Sequence, residues 1–342
     1  MTLAQPLRLM GAPGSPYTRK MLAYLRYRRI NYEFMLGDQS TNLDLPKPKV
    51  ELLPTFYLPN DEGKIEAVVD STPLIRRFEQ AFTGREAVPS NPVLAYINYL
   101  IEDYADEWLT KSMFHYRWHY DADIKKAGSI LPLWRGLRID NEQHHNFSAF
   151  IADRQISRLY VVGSNDVTAP VIESSYRRFL GIMEELITRQ NYVFGARPSS
   201  ADFGIYAQMT QLAKFDPTPM AICLEIAPRV YAWTDVVDDL SGQTCEEDGW
   251  MSVDVVRDAL GPLLSEIGRV YVPALIANAK ALQAGAENMQ TTIDGKPWEQ
   301  PTFPYQARCL AWIREEYQKL AAQDRVQVDQ ILAGTGCEEM LQ

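Results

Sequence analysis

Cysteine is scarce in this chain of 342 residues, and none occurs before Cys223. The four present, Cys223, Cys245, Cys309 and Cys337, stand far apart without metal-ligand spacing. A disulfide framework is therefore not expected, and reduced thiols, packed or half-exposed, are. Positive charge is in deficit too: 34 Lys and Arg face 44 Asp and Glu, a net charge of −10. That balance argues against a nucleic-acid partner, whose phosphates need a basic face. No apolar stretch in the sequence approaches the roughly 20 residues of a membrane-crossing helix, so no membrane partner is expected. Met1 to Gly11 lacks the basic flank and long apolar run of a secretory signal, and cytoplasmic residence is the expectation.

What remains is the composition of an ordinary globular protein, 46% apolar and 23% charged, in a chain long enough for two domains. The charge is unevenly spread. Residues 1–85 hold 12 Lys/Arg and 9 Asp/Glu, a balance of +3 that leaves −13 for the rest. Within them, Arg19, Lys20, Arg26, Arg28 and Arg29 could steer a small anion toward the neighbouring turn or simply form the wet face of a helix.

The turn is Gly11-Ala12-Pro13-Gly14-Ser15. It follows an apolar run, Leu7 to Met10, that reads as a strand, and it leads into the periodic segment Met21 to Tyr27. Ser15 thus stands at a helix N-terminus, where unpaired backbone N–H groups favour an anion such as a thiolate. Tyr32 to Leu36 reads as a second strand, and residues 37–52 as loop with one helical turn. The runs 54–58 and 64–69 flank Pro59-Asn60-Asp61-Glu62-Gly63 as a hairpin. Asp70-Ser71-Thr72-Pro73 opens a helix with Leu74, Ile75 and Phe78 on one face. The order βαβ then ββα within about 80 residues describes a thioredoxin-like fold.

Gly84 to Pro92 reads as a linker, after which helical periodicity dominates. One aromatic-rich helix is expected from Val93 to about Trp118 and another from Val171 to Thr188. Pro198-Ser199-Ser200-Ala201-Asp202-Phe203 has the pattern of a capping box with a hydrophobic staple. Around Tyr104, Trp108 and His115 the first of these helices is apolar almost all round and must be covered by core, by a partner or by a ligand cleft. His115 and His119 have the i, i+4 spacing of a zinc pair but no third ligand nearby, so stacked core or interface histidines are favoured. Asp103, Asp106 and Glu107 read as ion-pairing or capping groups, and His144-His145 as exposed loop. Residues 243–342 read as a helix over 253–284, a hairpin turning at Asp294-Gly295, and helices over 305–320 and 324–332 stopped by Gly334.

Ser15-Pro16-Tyr17-Thr18 resembles the Cys-Pro-Tyr-Cys site of glutaredoxins with hydroxyls in place of thiols, the arrangement of serine-type glutathione S-transferases. Together with Leu53-Pro54 before a strand, Asp70-Ser71 opening a helix, and Phe194-Gly195 through Asp202-Phe203, it makes residues 5–242 similar to a cytosolic, bacterial-like glutathione S-transferase. The resemblance implies an α/β thioredoxin-like domain over 1–85 and an all-α domain over 93–242. Residues 243–342 then form a mostly helical extension without a recognised role.

By that resemblance glutathione is the co-substrate, no metal is needed, and the chain is a homodimer acting on a small hydrophobic electrophile. Ser15 would hold the thiolate. Leu53 and a cis Pro54 would meet the cysteinyl part, Asp70 and Ser71 the γ-glutamyl end. The place where a lysine often reaches the glycyl carboxylate is Leu52, so Lys47 or Lys49 is the substitute. Tyr17 belongs to the same loop and could point either way, and Thr18 reads as a helix residue. Tyr104, Trp108 and His115 would line the electrophile pocket. Lowering a thiol pKa from near 8.5 by about 2 units takes about 2.7 kcal/mol, within reach of one charge-assisted hydrogen bond plus a helix N-terminus. The same residues also suit a non-catalytic scaffold whose extension fills the cleft. A glutathione-dependent lyase, isomerase, dehalogenase or disulfide reductase is a third reading.

Overall fold

The computed structural model describes residues 3–36, 44–246 and 248–342. The expected loop and helical turn at 37–52 therefore fall partly outside the described residues.

Strand β1 (Leu7–Met10) runs parallel to β2 (Tyr32–Met35) and antiparallel to β3 (Thr55–Pro59), which pairs antiparallel with β4 (Ile65–Val68). The sheet order is β2-β1-β3-β4. Helix α1 (Pro16–Arg28) crosses between the parallel strands, and α2 (Ser71–Ala81) follows the hairpin. Alternation in β1 sends Leu7 and Leu9 inward to join Phe56 and Leu58 of β3, while α1 adds Met21 and Leu25 and α2 adds Leu74, Ile75 and Phe78. Arg29 ends α1 in the left-handed conformation, φ 54°. This is the thioredoxin-like domain.

The helical remainder begins with α3 (Pro92–Tyr104), capped by Asn91, whose side chain accepts from the N–H of Val93 and Leu94. It runs without a break through a π turn at Ala105–Leu109 into α4 (Thr110–His119). The single helix expected here is thus interrupted by one wider turn, which places Asp106, Glu107 and Trp108 on faces a regular helix would not give them. There follow α5 (Asp121–Leu133), α6 (Asn141–Ile156), α7 (Ala169–Ile187), α8 (Ser200–Leu212), α9 (Pro217–Ile226) and α10 (Pro228–Asp238). The loop expected at His144-His145 is corrected: both lie in α6, whose first turn is capped by Asp140 accepting from Gln143 N at 2.8 Å. No residue of α6 is buried, so the apolar stripe that would have betrayed it is weak. At α8 both arms of the capping box are made, Ser199 Oγ accepting from Asp202 N while Asp202 Oδ2 accepts from Ser199 N at 2.9 Å.

The extension comprises α11 (Val253–Glu266), a second π turn (Ile267–Tyr271), α12 (Val272–Gln283), the hairpin β5 (Asn288–Ile293) and β6 (Lys296–Pro301), α13 (Pro304–Lys319) and α14 (Ala322–Leu332). Asp294 and Gly295 turn the hairpin with φ 53° and 71°, as its two-residue loop requires. The continuous helix Val253–Gln283 is long and apolar enough to cross a membrane, contrary to the length reading of the sequence. Its charged interruptions, Glu266 and Arg269, break the apolar run locally but not its mean, and 56% of its most apolar window is buried within the protein.

One hydrophobic core runs through all three parts of the chain. Trp298 of β6 lies against Trp108 with ring centroids 5.3 Å apart, Tyr271 meets Tyr104 edge-on at 6.1 Å, and Tyr317 meets Tyr96 at 5.8 Å. The extension is therefore a wall of the helical domain.

Candidate ligand cleft

Ser15 caps α1 with extended backbone, φ −92° and ψ 119°, and its Oγ accepts from Thr18 N at 3.2 Å. The same hydroxyl donates to the carbonyl of Leu53 at 3.2 Å, and the Leu53–Pro54 peptide is cis. Two features 38 residues apart in sequence are thus brought together at the open end of a helix N-terminus. The turn itself is clamped by the helical domain. Arg117 donates to Gly14 O at 3.1 Å and Gln211 to Pro13 O at 3.3 Å, while Arg19 of α1 itself also donates to Pro13 O at 3.1 Å. Any side chain at position 14 would meet Leu131 and Trp134. These two residues close to Ser15 escaped the sequence reading, although the apolar run from Ile130 to Trp134 carried a faint signal.

Asp70 and Ser71 stand at the start of α2, but their side chains are already engaged. Asp70 is in the positive-φ region, φ 82° and ψ 112°, and makes no capping bond of its own. Its Oδ2 accepts instead from Tyr305 Oη of α13 at 2.8 Å. Ser71 is buried, and its Oγ accepts from Lys20 Nζ at 3.2 Å. The sequence places Lys20 where it could steer an anion or face solvent. The structure corrects this: Lys20 is wholly buried and donates to Glu102 at 2.7 Å and Asp106 at 2.5 Å. Arg28 is likewise buried and paired with Glu79. The sequence held a signal for Lys20, which falls four residues after Pro16 and four before Tyr24 on the inward stripe of α1.

Tyr17 is aimed away from the turn. Its hydroxyl donates to Asp106 O at 2.7 Å, so it docks α1 on the π turn. Thr18 is a buried helix residue. Lys47 and Lys49 are exposed.

The expected electrophile pocket is corrected as well. Tyr104, Trp108 and His115 are fully buried inside the helical core. Trp108 donates to Ser175 Oγ at 2.8 Å beneath Trp298. His115 bonds Ser164 at 2.8 Å and Glu173 at 3.2 Å through its two ring nitrogens and stacks on His119 with centroids 4.7 Å apart. Aromatic content marked these residues as needing cover, and the cover is supplied by the chain's own β6 and α7.

Between α1, α2 and the α3–π-turn segment lies a buried acidic layer. Burial pulls the Lys20 pKa down, but Asp106 and Glu102 more than offset it and hold the ammonium charged. Burial likewise opposes ionisation of Glu102, yet Lys20 and Arg76 keep its pKa below the ordinary value. Asp103 forms no ion pair among the described residues. Burial raises it to about 7 against the hydrogen bond it accepts from Tyr271 at 2.5 Å. Glu107 rises to about 8 through burial and the charges of Asp103 and Asp106, and burial lowers Lys111 to about 8. Away from all this, a depression of about 320 Å³ lies at the sheet edge by Leu58, Pro59, Val68 and Arg77.

Residues 9–86 match the family described as the glutathione S-transferase N-terminal domain. No curated protein matches the chain. Among solved structures, a glutathione S-transferase-like protein from Pseudomonas syringae is 15% identical, with 68% of this chain and 66% of that chain covered at a TM-score of 0.41. A glutathione transferase family member from Pseudomonas fluorescens Pf-5, solved with two glutathione molecules bound, is 11% identical, with 68% and 89% covered at 0.42. A glutathione S-transferase from Rhodospirillum rubrum F11 is 16% identical, with 73% and 98% covered at 0.39.

Proposed function

Starting from a first domain that matches the glutathione S-transferase N-terminal domain family, we propose that this chain binds glutathione and uses its thiolate against a small hydrophobic electrophile. The observation that carries this reading is the Ser15 hydroxyl at the N-terminus of α1, 3.2 Å from the Leu53 carbonyl that precedes cis Pro54. A ligand whose backbone pairs with Leu53 in place of the Ser15 hydroxyl brings its sulfur to that released donor and to the positive end of α1. Both favour the thiolate over the thiol. Leu53, with Leu131 and Trp134 against Gly14, supplies apolar surface beside that sulfur and replaces the expected pocket. Cytoplasmic residence and a homodimer complete the reading. The dimer is supported by Phe147 and Phe150, large apolar side chains one helical turn apart on α6 that are both exposed.

The test is a glutathione titration of the wild type and Ser15→Ala, followed by conjugation of a generic aryl halide. Binding should survive. The bound thiol pKa should rise and turnover fall about 10- to 100-fold, the range of one hydrogen bond to a charged group. Unchanged turnover removes Ser15 from the mechanism, and light scattering on the same sample reports the dimer.

A second reading, a scaffold without catalysis, is favoured by one observation: Tyr305 of the extension already holds Asp70. Absence of glutathione binding at millimolar concentration would support it.

A further inference from the structure

Asp70 combines two features that do not follow from starting a helix. Its backbone lies at φ 82°, a region that residues with a side chain avoid and hold only when their surroundings fix it. Its carboxylate is bonded by a residue 235 positions downstream. Tyr305 is placed for that bond independently of Asp70. It sits in the first turn of α13 directly after Pro304, and its ring packs on Phe303 at 6.3 Å and Trp312 at 5.9 Å. Burial, with Asp70 and Glu107 close by, pushes the phenol pKa far up, so the hydroxyl remains a donor at every physiological pH.

We propose that Tyr305 is an intramolecular competitor at Asp70, a hydroxyl supplied by the extension that a ligand's protonated amine must displace before its terminal amino-acid group can dock on α2. The inference rests on the glutathione reading, because the γ-glutamyl end carries such an amine. Both bonds end on the Asp70 carboxylate and are charge-assisted, but the ammonium adds a Coulombic attraction that the neutral phenol lacks, so it wins the exchange but loses part of its advantage. A ligand that lacks the amine leaves the Tyr305–Asp70 bond intact.

The experiment compares wild type and Tyr305→Phe by calorimetric titration with glutathione and with glutaryl-cysteinyl-glycine, which is glutathione without its amino group. Phenylalanine keeps the ring and removes only the donor. Glutathione should bind about tenfold tighter to the variant, the value of one hydrogen bond. The des-amino analogue should be unaffected. Equal tightening of both ligands, or no tightening of glutathione, overturns the proposal. Amide hydrogen exchange without ligand separates this from the parent reading, since loss of the bond should speed exchange several-fold in residues 70–75. If neither chain binds glutathione but that exchange accelerates, the glutathione reading fails and the internal bond stands. If exchange is unchanged, the bond constrains nothing and the competitor is refuted.

Discussion

Replacing Lys20 by methionine removes the ammonium that Glu102 and Asp106 share in the buried layer between the two domains. Its Nζ donates to Glu102 at 2.7 Å, Asp106 at 2.5 Å, Ser71 at 3.2 Å and Thr72 at 3.4 Å. The lysine and Glu102 side chains have 0% exposure, and Asp106 has 9%. Methionine fills similar volume, so the loss is electrostatic. Glu102 retains Ser200 at 2.6 Å and Arg76 at 3.4 Å, whereas Asp106 retains no cation. Breaking a buried pair from one side costs about 3–5 kcal/mol because the remaining charge is stranded. At the low end of about 2–4 °C per kcal/mol for large domains, that is a drop of about 6–10 °C in the unfolding midpoint. The loss must also depend on pH. Without Lys20, Glu102 rises from below its unfolded value to above it, and Asp106, which burial already raises to about 6, rises further, so the native state binds protons that the unfolded chain has released. Stability is then recovered as pH falls, and the deficit is larger at pH 8 than at pH 5.5. Urea unfolding of both proteins at the two pH values measures it. Adding Glu102→Gln and Asp106→Asn to the methionine variant should restore much of the loss, since neutral groups tolerate the missing ammonium. A variant as stable as wild type, or a deficit independent of pH, refutes this account of the layer.

The wild type should itself lose stability as pH rises from about 4 to about 8, because Asp103 and Glu107, raised to about 7 and about 8, keep protons in the fold that the unfolded chain gives up. Asp103→Asn should flatten that slope and raise the midpoint at pH 8, and a midpoint that is flat or climbing between pH 5 and 8 would contradict the assignment. Gly14→Ala should destabilise by about 1–3 kcal/mol by driving a methyl group into Leu131 and Trp134. Thermal unfolding tests it, and a silent substitution would mean that α5 does not clamp the Ser15 turn.

The features legible in the sequence are those governed by neighbours. Turn chemistry placed Ser15, the hairpin after Thr55 and the Asp294-Gly295 reversal, and the Ser199–Asp202 box announced α8. The family resemblance supplied Leu53-Pro54 and Asp70-Ser71; the first is a cis peptide and the second opens α2. Illegible were the partners of those residues, because ion pairing and cover are settled across distances that no local pattern records. Lys20 looks solvated until Glu102 arrives, and Tyr104, Trp108 and His115 look like a pocket until β6 and α7 close over them. The π turn at Ala105–Leu109 escaped for a similar reason: one extra residue in a turn changes which face is inward without changing composition.

That the hairpin indole of Trp298 seals Trp108 has a bearing on biosynthesis. A ribosome releases the chain from its amino end, and the first domain can collapse early. The aromatic helix beside it emerges soon afterwards and then waits, greasy and uncovered, until the distant hairpin that carries Trp298 has been made. A message cut short ahead of Met289 would therefore yield a lidless, adhesive particle for chaperones and proteases to remove, and no smaller working version of the protein.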